Sequence, residues 1–167
     1  YTAQHVRPNM GYAASQLSLA LHLPRKRHFK GMLHALQYLK GTATLSLHYN
    51  ASTGSRLAIY IDSDYAGCKG TRKSVSGTLF LFAGDPVYWG SKKQDNITLS
   101  ATEAEFNALM RGTRDGLWLR QLLSEFGFPQ EAPTPIFVDN IGAVRIAKNP
   151  IINNYSRHVA VQMHFVR

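Results

Sequence analysis

The chain is short of acidic residues and almost without cysteine. Its 167 residues include 10 Asp and Glu against 19 Lys and Arg, which gives a formal net charge of +9. A charge this positive on a small domain indicates a polyanionic partner, with nucleic acid the first candidate; a basic surface that serves only solubility is the alternative. Cys68 is the single cysteine. It excludes an intrachain disulfide and a cysteine-based zinc site, and it fits an intracellular, cytoplasmic or nuclear location.

Long apolar runs are also missing. No run approaches the ~18 residues of a membrane span, so no membrane partner is expected. The N-terminal sequence YTAQHVRPNM lacks the apolar core of a signal peptide, and the chain does not begin with Met, which predicts a fragment or a processed product. The length suits one domain, or one domain with an appended element. A hydrophobic content of 44% with 17% charged residues is typical of a globular fold.

Apolar residues at helical spacing dominate the beginning of the chain. The stretch MGYAASQLSLALHL predicts a helix that ends at Pro24, and RHFKGMLHALQYLKG predicts a second helix that stops at Gly41. The second helix carries one apolar stripe, made of Phe29, Met32, Leu33, Leu36 and Leu39. A hairpin of two helices is too small to be stable alone. Residues 1–43 are therefore expected to form an appended segment that packs on a domain of residues 44–167.

Strand patterns begin at about residue 44. The stretches TLSLHYN, RLAIYID, SGTLFLFAG and DPVYWGS predict an antiparallel meander, with its last turn at Gly84-Asp85-Pro86. A long helix follows from Ser100 to about Phe126, with Gly112 and Gly116 as points where it is expected to break or bend. PTPIFVDN predicts a short buried strand, IGAVRIAKN a short helix, and residues 155–167 a last helix. This order predicts an α/β chain of the α+β kind, with a mixed sheet covered by helices.

Three carboxylates stand out in this arrangement. Asp62 and Asp139 each end an apolar strand, and ligand sites of open sheets cluster at that edge. Glu105 lies on the long helix and shares its sheet-facing stripe with Ala101, Ala108, Leu109 and Gly112. A glutamate on a buried stripe is costly unless a cation or hydrogen bonds compensate its charge. Glu103 falls about 200° away around the helix and is expected to be solvated.

The chemistry of such a cluster is that of a hard-cation site. Three carboxylates are enough to hold Mg²⁺, which keeps several of its waters. Two such ions would activate a water and stabilise the leaving oxygen of a phosphodiester. Each residue also has an ordinary structural explanation: Asp62 as the start of a turn, Asp139 as the cap of the next helix, and Glu105 as the partner of Arg111 or of another cation. All three at one sheet edge of a basic protein favour the metal site.

Several segments together resemble a known family. In chain order they are YIDSDYAG, RKSVSG, VYWGSKKQ, LSATEAEFNAL, LWLRQLLSEFG, IFVDNIGAVRIAKNP and HVAVQMHFVR. They resemble the ribonuclease H region of Ty1/copia-type LTR retrotransposon polyproteins, which join a reverse transcriptase to an RNase H. The segment LPRKRHFKGMLHALQYLKGT resembles the connection on the reverse transcriptase side. The resemblance spans nearly the whole chain.

The resemblance implies an RNase H-like fold with an N-terminal helical hairpin, and hydrolysis of the RNA strand of RNA–DNA hybrids with Mg²⁺ or Mn²⁺. Asp62, Glu105 and Asp139 match the family's metal-binding carboxylates, and Ser100 and Asn140 match positions that approach the hybrid. Family members continue with another strand and a final helix that carries a fourth metal-binding aspartate, so the resemblance implies C-terminal truncation and impaired activity. Ala160 stands where the family usually has an aspartate.

Basic residues near the expected site complete the prediction. Arg72, Lys73, Lys92 and Lys93 fall in loops or at strand ends and are expected to hold hybrid phosphates; ordinary solvated surface is the alternative. A second basic group opens the second helix of the hairpin and consists of Arg25, Lys26, Arg27 and Lys30. Cations are unfavourable at the beginning of a helix, so a polyanion contact is one interpretation of this group. Trp89 and Trp118 lie in apolar runs and are expected in the core.

Three hypotheses of function follow. The first is a metal-dependent endonuclease of the ribonuclease H type. The second is a retroelement-derived module that binds RNA–DNA hybrid or double-stranded RNA without cutting it. The third is a retroelement remnant whose fold serves a protein–protein role or none. An open sheet edge, left without a last strand, is expected to favour dimerisation or aggregation.

Overall fold

A computed structural model describes residues 2–50, 54–68 and 70–148. The helices are α1 (Thr2–His5), α2 (Gly11–Ser18), α3 (Lys26–Gly41), α4 (Ala101–Glu125) and α5 (Ile141–Lys148), with a 3₁₀ turn at Pro8–Met10 between α1 and α2. The strands are β1 (Leu57–Asp64), β2 (Val75–Phe82), β3 (Asp85–Lys93) and β4 (Ile136–Val138). The predicted last helix and Ala160 lie outside the described residues.

The four strands form one mixed sheet in the order β3-β2-β1-β4. β1 pairs with β2 and β2 with β3 in antiparallel fashion, whereas β1 and β4 are parallel. The long helix α4 supplies the crossover from β3 to β4 that a parallel pair requires. The predicted α+β class with a mixed sheet is confirmed, and the arrangement is compatible with an RNase H-like fold.

The core lies between β1 and α4. Leu57, Ile59 and Ile61 alternate along β1 and are buried against the helix. A Cβ atom built on Gly112 would lie 2.4 Å from Cδ1 of Ile61, and one on Gly116 would lie 2.5 Å from Cδ1 of Ile59. The expected break at these glycines is therefore wrong: α4 runs unbroken, and the glycines allow the helix to approach the sheet closely.

The strand predicted for TLSLHYN is also wrong. Residues 44–50 have no strand structure, and Leu45 and Tyr49 are exposed. The segment is held by side-chain bonds to the start of β3: the Tyr49 hydroxyl donates to the carbonyl of Pro86 (3.0 Å), and the backbone N–H of Asn50 donates to Asp85 (2.7 Å). Its alternating apolar residues have no surface to pack against, and an alternating pattern alone does not form the hydrogen bonds of a strand.

The hairpin between β2 and β3 turns one residue earlier than predicted. Ala83 and Gly84 form a two-residue connection with φ of 55° and 87°, and Asp85 and Pro86 already belong to β3. Two successive positive φ values are those of a type I′ turn, whose twist matches that of the flanking strands.

The N-terminal segment docks on β3 through specific contacts. The indole N–H of Trp89, on β3, donates to the carbonyl of Ala3 (2.7 Å). Within the segment itself, the Arg7 guanidinium donates to the carbonyl of Thr42 (2.9 Å). Trp89 is thus half-buried, whereas Trp118 is 56% exposed and is not a core residue. The predicted first helix ends at Ser18 rather than at Pro24.

The apolar stripe of α3 is mostly uncovered. Phe29, Met32, Leu33 and Leu36 are all exposed within the described part of the chain. The helix is tied to the rest at its C-terminal end, where the Tyr38 hydroxyl accepts from the Asn9 amide. None of the described helices is long and apolar enough to cross a membrane.

Candidate metal centre

The parallel pair β1 and β4 brings two aspartates together. Ile61 faces Val138 across the pair, so the next residues of the two strands, Asp62 and Asp139, are neighbours at one end of the sheet. Asp62 lies inside β1, which continues to Asp64, whereas Asp139 directly follows β4. Their proximity is a consequence of strand register and not of closeness in sequence.

The start of α4 places the third carboxylate. The Ser100 hydroxyl accepts a bond from the backbone N–H of Glu103 (3.1 Å), and the Glu103 carboxylate accepts one from the backbone N–H of Leu99 (2.8 Å). These two bonds join the residues on either side of the helix start and fix where α4 begins. Glu105, two residues further on, then falls on the face that α4 buries, which begins at Ala104. The predicted stripe is confirmed for Glu105 but not for Ala101, which is exposed.

The three carboxylates converge. One carboxylate oxygen from each of Asp62, Glu105 and Asp139 lies within 4.8 Å of the others. Asp62 and Asp139 are exposed, while Glu105 is only 5% exposed. Oε1 of Glu105 accepts a bond from the backbone N–H of Ser63 (3.1 Å), and Oε2 is buried without a hydrogen-bond partner among the described residues. A buried, unpartnered carboxylate oxygen beside two other carboxylates is the arrangement that a cation stabilises.

The electrostatics of Glu105 reflect this crowding. Burial, followed by the charges of Asp62 and Asp139, raises the pKa of the Glu105 carboxyl to about 7, and the bond from Ser63 offsets only part of the shift. Ionising Glu105 near neutral pH therefore adds a third negative charge to the cluster, and this costs free energy. A divalent cation bound to the three oxygens would remove that cost.

The ordinary structural explanations of these residues do not hold. Arg111 faces Asp115 (3.9 Å) and does not pair with Glu105. The cap of α5 is Asn140, whose Oδ1 accepts from the backbone N–H of Ala143 (3.0 Å), so Asp139 is left free of that role. Asp62 pairs with Gly77 within the β1–β2 ladder and does not begin a turn.

A cleft of about 960 Å³ opens beside the carboxylates on the sheet. Asp62 and Asp139 lie on its wall, together with the exposed aromatic pair Tyr60 and Phe137, whose rings stack with centroids 4.7 Å apart. Another wall comes from the N-terminal segment and consists of Pro8, Asn9, Gly11 and Tyr12. No local sequence pattern predicts this wall, because the segment docks through contacts as distant in sequence as that of Trp89 with Ala3.

Asp64 also lines the cleft but stands apart from the cluster of three carboxylates. Its carboxylate lies over Gly67: a Cβ atom on that glycine would be 2.1 Å from Oδ2 of Asp64. The alternation along β1 puts Asp62 and Asp64 on one face, which is the signal that marks Asp64 as a cleft residue.

The four basic residues predicted to bind nucleic acid are found in three different situations. Lys92 and Lys93 pair with Ser76 and Val75 of β2, which places them two strands, roughly 10 Å, from the end of β1. Arg72 is exposed on the neighbouring loop, with a φ of 57°. The ammonium of Lys73 donates to the carbonyl of Asp95 and so braces that loop.

Ser100 and Asn140 act as helix caps. Ser100 is the N-cap of α4, and the Asn140 side chain accepts a hydrogen bond from the backbone N–H of Ala143 in the first turn of α5. Each therefore has a local structural role beside any contact with a ligand. Because Asn140 follows Asp139 directly, the cap also fixes the backbone next to one of the three carboxylates.

Comparison with known proteins identifies relatives but not a structural precedent. No family model matches the chain, and no solved structure matches it. The retrovirus-related Pol polyprotein from transposon RE1 of Arabidopsis thaliana is 32% identical over 161 residues, which is 96% of this chain and 11% of that protein. The corresponding polyprotein from transposon TNT 1-94 of Nicotiana tabacum is 33% identical over 167 residues, all of this chain and 12% of that protein.

A shorter relative matches part of the chain. A protein of Plasmopara viticola, named secreted RxLR effector protein 161, is 37% identical over 113 residues, 68% of this chain and 80% of that protein. The chain thus spans only about a tenth of the length of the Pol polyproteins, which match almost all of it. The homologues that match nearly the whole chain, at 32–33% identity, are thus Ty1/copia-type, retrovirus-related Pol polyproteins.

Proposed function

We propose that this chain is a metal-dependent endonuclease of the ribonuclease H type, which hydrolyses the RNA strand of an RNA–DNA hybrid. The observation that carries the proposal is the buried Oε2 of Glu105, which has no partner among the described residues and lies beside Asp62 and Asp139. A buried carboxylate without a partner is costly in free energy, and a bound cation would compensate its charge. Relatives that are Pol polyproteins of retroelements support nucleic acid as the substrate.

The donor set fits Mg²⁺ or Mn²⁺. All three side chains offer carboxylate oxygens, which hard divalent cations prefer, and the described cluster contains no sulfur or imidazole ligand that would favour a softer metal. Asp62, Glu105 and Asp139 would hold the metal. Two such ions, when bound, supply an activated water and stabilise the leaving oxygen of a phosphodiester.

The chain's own groups orient this site. The backbone N–H of Ser63 holds one oxygen of Glu105 and leaves the other free for a cation. The pairing of β1 with β4 keeps Asp62 and Asp139 side by side, so the sheet and not a loop sets their separation. Exposed Asp62 and Asp139 leave the site open to a polymer, which a closed structural metal site would not do.

Cations lie at the same end of the sheet as the carboxylates. Lys92 and Lys93 sit at the same end of the sheet as Asp62, and Arg72 is exposed on the loop that follows β1. We infer that these three side chains hold backbone phosphates of the hybrid. Phosphate contacts position a duplex but carry no sequence information, so cleavage with little sequence preference is expected.

The test is cleavage of a hybrid with a labelled RNA strand, with Mg²⁺ and with Mn²⁺. The intact chain is expected to shorten the RNA, and Asp62→Asn, Glu105→Gln and Asp139→Asn are each expected to abolish this. Glu131→Gln is the matched control, because Glu131 is an exposed glutamate outside the cluster. Cleavage that persists in Asp62→Asn would overturn the proposal. Salt-dependent binding without any turnover would favour the non-catalytic binding module instead.

A further inference from the structure

The N-terminal part of the chain carries an unbalanced positive charge. Seven of the 19 Lys and Arg residues, and none of the 10 Asp and Glu residues, lie in the first 61 positions. The predicted site accounts for none of these cations. Three of them, Arg25, Lys26 and Lys30, lie together at the beginning of α3.

An exposed aromatic ring lies among these three cations. Arg25, Lys26, Phe29 and Lys30 line one shallow surface pocket, in which Pro24 forms the remaining wall. The Phe29 side chain is 58% exposed, and all three basic residues are exposed. No carboxylate forms an ion pair with Arg25, Lys26 or Lys30 in the part of the chain that the structure describes. We call Arg25, Lys26, Phe29 and Lys30 the α3 patch.

The composition of the α3 patch fits single-stranded nucleic acid. Grooves that bind single strands combine cations, which track the phosphates, with aromatic rings on which bases stack. An exposed phenylalanine within reach of three cations offers both in one place. An unpaired base presents the flat face that Phe29 can stack on, whereas the bases of a duplex are stacked on one another and are not available to it.

The α3 patch and the carboxylate site belong to one packed body. Tyr38 and Thr42, at the other end of α3, bond to Asn9 and Arg7, and Asn9 lines the cleft that holds Asp62. From Lys26 to Tyr38 the helix rises roughly 18 Å at 1.5 Å per residue. A strand that reaches both places must therefore extend several nucleotides beyond the duplex.

We propose that the α3 patch is a second nucleic-acid contact, which grips a single-stranded extension of RNA or DNA through its phosphates and one stacked base. The proposal rests on the proposed function for the kind of polymer bound, but not on turnover at the carboxylates. An anionic membrane surface is the rival partner, because basic helices with an exposed apolar stripe also bind such surfaces.

The experiment measures binding of the full chain to a labelled 20-nucleotide single strand in EDTA, where no metal-dependent cleavage occurs. The triple variant Arg25→Gln/Lys26→Gln/Lys30→Gln is expected to bind at least about ten-fold more weakly at 100 mM salt. The slope of log K against log salt is expected to fall by about 2, at ~0.7 for each lost phosphate contact to a single strand. Circular dichroism and thermal unfolding establish that each variant is folded.

Matched controls separate the patch from general charge. Arg114→Gln/Arg145→Gln/Lys148→Gln removes the same charge from exposed positions outside the α3 patch and is expected to change single-strand affinity by less than about two-fold. An equal loss in this control would overturn the proposal, because binding would then follow net charge alone.

Phe29 provides a test of stacking. Phe29→Ala is expected to weaken single-strand binding about five-fold or more and to leave binding of a blunt hybrid unchanged, while Phe29→Trp retains single-strand affinity. Equal effects of Phe29→Ala on single strand and blunt hybrid would overturn the stacking role. Tighter binding to vesicles of anionic phospholipid than to the single strand, lost in the triple variant, would overturn the choice of partner.

Failure of this proposal and failure of the proposed function are distinguishable. Loss of hybrid cleavage in Asp62→Asn reports on the carboxylate site, whereas binding in EDTA reports on the α3 patch. The Asp62→Asn variant is expected to bind the single strand as the unaltered chain does.

Discussion

The backbone N–H of Ser63 donates a 3.1 Å hydrogen bond to Oε1 of Glu105. The bond links β1, beside Asp62, to the first turns of α4, and it holds one carboxylate oxygen while Oε2 stays without a partner among the described residues. Glu105 is therefore positioned by the protein before any ligand arrives. The free energy that the buried charge costs in the metal-free chain is available to favour metal binding.

Stability of the metal-free chain is expected to depend on pH through Glu105. Its folded pKa is about 7, above the ordinary value of 4.5, so the folded chain binds more protons between these values than the unfolded chain. Stability therefore falls as pH rises from about 4.5 to about 7, by on the order of 1–3 kcal/mol. Urea unfolding in EDTA at pH 5 and pH 8 measures the difference. Glu105→Gln should remove it, and an equal pH dependence in that variant would contradict the assignment.

Neutralising one carboxylate is expected to stabilise the metal-free chain and to abolish its response to metal. Asp139→Asn removes one of the two charges that raise the pKa of Glu105, which relieves repulsion. In the unaltered chain, Mg²⁺ at 100 times its Kd should add about 2.7 kcal/mol. Thermal unfolding with Mg²⁺ and with EDTA measures both effects. The control Glu131→Gln should keep the full metal response, and a full response in Asp139→Asn would sink the three-carboxylate site.

Gly112 is expected to be intolerant of alanine. The added Cβ would lie 2.4 Å and 2.9 Å from two atoms of Ile61, which is buried and has little room to move. Gly112→Ala should cost about 1–3 kcal/mol of unfolding free energy despite alanine's better helix propensity. Gly41→Ala is the matched control, since nothing lies within 4 Å of its added Cβ, and it should be neutral or slightly stabilising.

The contact itself can be tested with a double mutant. Ile61→Val removes the atom nearest to the new methyl group, so Gly112→Ala should cost less in that background than in the unaltered chain. Denaturant unfolding of the four chains of this cycle gives the coupling. If the unfolding free energies lost in the two single variants simply add in the double variant, Gly112 is not what allows α4 to lie close to β1.

A buried hydroxyl pair is expected to hold the loop after β1. The Ser74 hydroxyl lies 2.8 Å from that of Thr98 and accepts from the backbone N–H of Ala66 (3.2 Å). Ser74→Ala would leave the buried Thr98 hydroxyl and the half-buried N–H of Ala66 without this partner, at about 1–3 kcal/mol. Ser74→Ala/Thr98→Val should cost less than the sum of the single variants, as measured by denaturant unfolding. Hydrogen exchange at Ala66 should become faster in Ser74→Ala, and no change there would argue against the bond.

The sequence predicted the carboxylate cluster because its signals are local. Asp62 and Asp139 follow apolar strand patterns, and the helical period of α4 is enough to assign Glu105 to the buried face. The start of the long helix was also predicted, at Ser100, and Ser100 is its N-cap.

The features that were missed depend on contacts between distant parts of the chain. Residues 44–50 alternate like a strand, yet no neighbouring strand pairs with them in the described sheet. The 56% exposure of Trp118 follows from which elements lie beside α4, and no local pattern encodes it. The N-terminal wall of the cleft depends on the bond from Trp89 to Ala3, which spans 86 positions.

The most direct test of the metal site is a crystal of the chain soaked in Mn²⁺, with anomalous scattering recorded at the manganese edge. The account predicts an anomalous peak within ligand distance of Asp62, Glu105 and Asp139, and its loss in Asp62→Asn. An intact fold in saturating Mn²⁺ with no anomalous density between the three carboxylates would contradict it.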